Sequence, residues 1–109
     1  MIKITIYKNL KGDYVGLRSF GHAGYAESGY DIICSAVSVL VINTINSIEA
    51  FTKDEVKIKM DKKKGLIEFK FVSDISEQSI LLMKALELGL QRIKTDYNDG
   101  YIRIKLKEV

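Results

Sequence analysis

Period-two alternation in five separate stretches constrains this 109-residue chain more than any other feature. In "MIKITIYK", Ile2, Ile4 and Ile6 share one face and oppose Lys3, Thr5 and Tyr7. "DEVKIKMD" sets Val56, Ile58 and Met60 against Lys57, Lys59 and Asp61, and "GLIEFKFV" sets Ile67, Phe69 and Phe71 against Glu68 and Lys70. "YIRIKLKE" sets Ile102, Ile104 and Leu106 against Arg103, Lys105 and Lys107. "DYVGLRSF", residues 13–20, is less regular, with Val15 and Leu17 keeping the spacing. Such strands bury one face and leave the other in water.

Two longer stretches carry helical spacing instead. Residues 32–51 place Val37, Leu40, Val41, Thr44, Ile45 and Ile48 on one side, and residues 76–96 do the same with Ile80, Met83, Leu86, Leu90 and Ile93. Turn residues fall between the hairpin pairs, in "NLKGD" (9–13) and "DKKKG" (61–65), and "NDG" (98–100) stops the second helix. The order is therefore β-β-α-β-β-α-β. It predicts an α+β two-layer sandwich, a mostly antiparallel five-stranded sheet with both helices on one face.

The length suits one domain over residues 1–109, and 47% hydrophobic with 28% charged residues is ordinary globular composition. A net charge of +3 is too small to argue for nucleic acid, which is not expected as a partner. The alternating N-terminus does not read as a signal peptide, and the apolar run Ile32–Ile42 is too short to span a bilayer. A soluble cytoplasmic protein without a membrane partner is the expectation. A single cysteine excludes an intramolecular disulfide and suits a reducing compartment.

That cysteine, Cys34, lies twelve positions after the chain's single histidine, His22. His22 falls at the end of the second strand, "AGYAESGY" (23–30) connects, and Asp31 precedes the first helix as a natural N-cap. Cys34 would then occupy the first turn, where free amides and the helix dipole favour a thiolate and where its own amide could hold an oxyanion. Asp31 has a second possible role, orienting His22 as a triad carboxylate does. Ser38 follows one turn later on the same face. Spacing alone leaves the plainer alternatives open: a small buried hydrophobe, a hydrogen-bonded surface histidine and a packed serine.

Other chemistries have less behind them. Zinc would need carboxylates to join one His and one Cys, so no metal is expected, and no Walker or dinucleotide fingerprint calls for a cofactor. Lys62–Lys64 sit in a hairpin turn and read as solvated, and aromatic residues are not arrayed along those strands as an RNA-binding sheet requires.

"GHA" at Gly21–Ala23 followed by "DIICSAVSVL" at Asp31–Leu40 resembles the ribosomal-processing cysteine protease family Prp, and the resemblance extends over nearly the whole chain. It implies a small cytoplasmic bacterial thiol protease, homodimeric and cofactor-free. The implied substrate is the precursor of ribosomal large-subunit protein twenty-seven, cut after a phenylalanine at the end of its N-terminal extension. Carried onto this sequence, Cys34 is the nucleophile and His22 the general base. Gly21, Asp31 and Ser38 fall on supporting motif positions.

Gly24 and Gly29 give the connecting loop freedom, and Tyr25 and Tyr30 are apolar bodies with polar tips. The loop is expected to order over the bound peptide with a tyrosine packing on the substrate phenylalanine; the alternative is a mobile loop whose tyrosines cover the helix end. The rival readings are a ribosome- or RNA-associated binding module without catalysis, and a structural homodimer with an inert cysteine.

Overall fold

The computed structural model describes residues 1–21, 28–97 and 100–109, with residues 28–31 described by backbone alone. Its elements are β1 (Ile2–Lys8), β2 (Tyr14–Phe20), α1 (Ser28–Phe51), β3 (Val56–Asp61), β4 (Leu66–Phe71), α2 (Glu77–Asp96) and β5 (Ile102–Glu108). The order matches the alternation pattern element for element.

The strands form one sheet in the order β3-β4-β2-β1-β5. Three pairings are antiparallel, and β5 returns from α2 to lie parallel to β1, with Ile2 beside Ile102 and Ile4 beside Ile104. Both hairpin turns rest on a side chain near their start. Asn9 Oδ1 accepts from the amides of Lys11 and Asp13, and Asp61 Oδ1 from those of Lys63 and Lys64.

The core lies between the sheet and the helices. Ile2, Ile4, Ile6, Leu17 and Phe69 meet Val37, Val41 and Ile48 of α1, and Met83, Leu86 and Leu90 of α2. The helices approach each other closely at Leu40 and Gly89, where a methyl group on Gly89 would stand 3.0 Å from Leu40 Cδ1. Ile32–Phe51 is longer than the apolar run Ile32–Ile42 implied. By length and composition it is sufficient to cross a membrane. In the fold its Ile33, Val37, Val41, Ile45 and Ile48 are spent on the core instead.

Asp54, between α1 and β3, fastens the start of α2. Its Oδ2 accepts from the Ser76 amide at 3.0 Å, from the Ser76 hydroxyl at 2.7 Å and from the fully buried Ser79 hydroxyl. Ser76 is itself the N-cap of α2. Donation from Ser79, then from Ser76, holds the Asp54 carboxyl below the usual aspartate range. A lowered folded pKa contributes stability above the unfolded value, and that stability is lost as pH falls through the folded value. Asp54→Asn is therefore expected to cost about 1–2 kcal/mol in urea unfolding at pH 7, with the gap to wild type narrowing on acidification. The Tyr14 hydroxyl donates to Glu87 Oε1 at 2.7 Å, tying β2 to α2. Burial, reinforced by Glu87, keeps Tyr14 protonated well above the usual phenol range.

Candidate active site

Cys34, Ser38 and Ile42 succeed one another at single-turn intervals along α1 and open onto a cleft of about 430 Å³ between this helix and the sheet. Its buried walls are Ile2 of β1, Leu66 and Ile67 of β4, and Val37 of α1. Met60 of β3, half exposed, stands at the rim with Asp61 and Lys62 of the adjoining hairpin turn. The sheet layer extends past the helices on this side. β3 is the edge strand, and its core-facing Ile58 and Met60 are 43% and 50% exposed. A mainly apolar trough with one partly buried thiol inside it is suited to holding a hydrophobic side chain beside a sulfur nucleophile.

Gly21 comes from the other direction. It ends β2, lines the same cleft and has φ +94, in the left-handed region. A methyl group there would approach the Met1 carbonyl oxygen to 2.7 Å. Glycine therefore lets the chain leave the sheet beside β1 at this point. His22 and Tyr25 lie outside the described residues, as do the side chains of Tyr30 and Asp31.

The helix start differs from the sequence expectation. α1 begins at Ser28, so Asp31 lies inside the helix and is not its N-cap. Ser28, Gly29 and Tyr30 extend the helix by nearly a turn where glycine suggested loop. The unpaired amides belong to the first residues of α1, upstream of Cys34. The Cys34 amide is thus engaged within the helix and is not the oxyanion donor expected from first-turn placement. Of the residues singled out in the sequence, the structure brings Gly21, Cys34 and Ser38 to one cleft.

Sequence reasoning missed the hairpin wall of Met60, Leu66 and Ile67. The available signal was the apolar face of β3, which the register sets opposite Ile67 and Phe69. Among the described residues no three His, Cys, Asp or Glu side chains converge as a metal site would require.

The family model for cysteine protease Prp matches residues 1–103. This chain belongs to the Prp family. It is similar to the ribosomal processing cysteine protease Prp of Staphylococcus aureus, 28% identical over 107 residues, with 98% of this chain and 100% of the relative covered. The crystal structure of the S. aureus protease with a substrate peptide superposes with a TM-score of 0.90 at 26% identity, covering 98% of this chain and 100% of that one. The same protease with a covalently linked product peptide gives a TM-score of 0.87 at 27% identity, with the same coverage. As a Prp-family member the chain is a cysteine protease, and the non-catalytic readings fall away.

Proposed function

We propose that the protein removes the N-terminal extension from a ribosomal-protein precursor, with Cys34 as nucleophile and His22 as general base. One observation carries this reading. The chain has a single cysteine, and it opens into the apolar cleft beside the glycine that leads into the single histidine. The named S. aureus relative processes ribosomal protein, which supports the substrate class. The finer assignment is the precursor of large-subunit protein twenty-seven, cut after phenylalanine, and an apolar trough of this size accepts an aromatic ring.

In the reaction, His22 takes the Cys34 proton and Sγ bonds to the scissile carbonyl carbon. The carbon–nitrogen bond breaks as imidazolium protonates the leaving amine. Water then cleaves the thioester and returns the thiol. No metal or cofactor takes part. Ser38, one turn after Cys34 and lining the same cleft, would donate to bound peptide. Asp31 would act by orienting His22, the one of its two possible roles left once the helix start rules out the cap. Tyr25 and Tyr30 would close over the substrate aromatic ring.

The reaction belongs to the cytoplasm, where ribosomal precursors are made. The working form would be a homodimer, for which the exposed Val39, Leu81 and Leu88 on the helices offer apolar contact area. The test is cleavage of the full-length precursor from the same genome, read by intact mass. A single cut after the extension's phenylalanine is the expected result, with Tyr25→Ala lowering kcat/KM on the extension peptide by about tenfold. An uncut precursor incubated with folded protein would overturn the substrate assignment.

A further inference from the structure

The strand residues that alternate with the core ones cover the second face of the sheet, and their charge is unlike that of the chain as a whole. β1 and β5 set Lys3 beside Arg103, Thr5 beside Lys105 and Tyr7 beside Lys107. β3 and β4 set Lys57 opposite Lys70 and Lys59 opposite Glu68. Arg18 of β2 adds a further cation, next to Glu68 at 3.7 Å. The lysines and Arg103 are exposed. Glu68 is the one carboxylate within this array; the others described lie on the helices, turns, connections and strand ends. A net charge of +3 conceals this segregation.

Two of these neighbours, Lys3–Arg103 and Lys57–Lys70, are like-charged residues side by side across strands, an arrangement that destabilises a sheet. The cations face away from the core, so packing does not account for them. A polyanion does, because it turns their mutual repulsion into attraction.

The face also carries two rings on its central strands. Tyr7 lies under Lys70, with Nζ 5.3 Å from the ring centroid, and Phe20 lies under Arg18, with Cζ at 5.0 Å. No aromatic array is visible along any single strand because these residues belong to different strands; the β1–β2 register places them on one face. π-faces set among cations are what binds single-stranded nucleic acid. An anionic bilayer is a poorer match, since the exposed aliphatic side chains within the strands, Ile58, Met60 and Leu106, all point to the helix side.

We propose that the helix-free face of the sheet docks single-stranded RNA, on the opposite side of the molecule from the cleft of Cys34. The choice of RNA over DNA rests on the ribosomal substrate proposed above. Docking of this kind would hold the protease on an RNA-bearing particle while its cleft stays open to the peptide.

The test is fluorescence anisotropy of a labelled twelve-nucleotide oligouridylate with the full chain at 50 and 200 mM salt. Binding should weaken with salt, with a log–log slope of about −0.7 per phosphate contact. A variant carrying Lys57→Gln, Lys70→Gln, Lys105→Gln and Lys107→Gln should bind at least about tenfold more weakly, with a shallower slope. A control with the same change in charge elsewhere, Lys11→Gln, Lys53→Gln, Lys84→Gln and Arg92→Gln, should stay within about twofold of wild type. Both should cleave a short extension peptide at the wild-type rate. Equal loss in the two variants would mean that net charge alone attracts the RNA, and the face assignment would fall. No binding at 50 mM salt, or binding to phosphatidylserine vesicles but not to the oligonucleotide, would also overturn it. Peptide cleavage without RNA binding leaves the protease reading standing, whereas RNA binding without cleavage does the reverse.

Discussion

Cys34→Ala should lower precursor cleavage by on the order of 10⁴-fold or more while leaving the fold intact. The thiol occupies a partly buried position at the cleft wall, and alanine fits there without strain on the helix. His22→Ala should cost less, about 10²–10⁴-fold, since it removes the proton acceptor and leaves the nucleophile. The pair acts as a unit, so the double variant should be no slower than Cys34→Ala alone. A second readout separates catalysis from folding. Cys34 is the only thiol, so its alkylation by iodoacetamide reports on that atom directly. His22→Ala should slow alkylation at neutral pH, because imidazole no longer assists thiolate formation. Equal alkylation rates in wild type and His22→Ala would break the pairing even if both variants lost cleavage.

Alternation made the sheet legible because each apolar strand residue has a polar neighbour in sequence, and the expected inward faces of β1 and β4 reach the core, as does the start of β5, whose Ile102 is buried while Leu106 is exposed. The partner of β5 was not legible. Its isoleucines could have met any inward strand, and the parallel pairing to β1 depends on where the α2 crossover delivers the chain. The start of α1 was misplaced for a local reason. Gly29 has poor intrinsic helix propensity and Asp31 is a strong capping residue, yet the helix runs through both.

Half of the site was legible and half was not. Cys34 and Ser38 share a face by helical spacing, and Gly21 marks a strand end, all visible in the chain. The wall opposite them comes from Met60, Leu66 and Ile67, more than twenty residues away, and it exists only because β3 lies outside the cover of the helices. The charge on the far face follows the same logic. Every lysine there was visible as the polar half of an alternating strand, but like charges become neighbours only through the register between strands.

Gly21→Ala should damage cleavage out of proportion to stability, and Gly12→Ala supplies the comparison. Both glycines have positive φ, +94 and +83, so both substitutions carry the left-handed strain of an L side chain. At Gly12, in the β1–β2 turn, an added methyl meets nothing within 4 Å. At Gly21 it meets the Met1 carbonyl oxygen at 2.7 Å, backed by Ile2, which is held in the sheet between β2 and β5. Gly12→Ala should therefore cost about 1 kcal/mol in urea unfolding, and Gly21→Ala about 2–3 kcal/mol. Against a typical domain stability of about 5–15 kcal/mol, both variants remain folded at room temperature. Cleavage should be unchanged in Gly12→Ala, because the turn is remote from the cleft. In Gly21→Ala the chain must leave β2 along a different path, and the next residue is His22. A shift of about 1 Å in a catalytic group is enough to lose on the order of 10²-fold in rate. Equal cleavage by the two variants, measured under conditions where both are folded, would mean that the direction of the chain at Gly21 does not position the base.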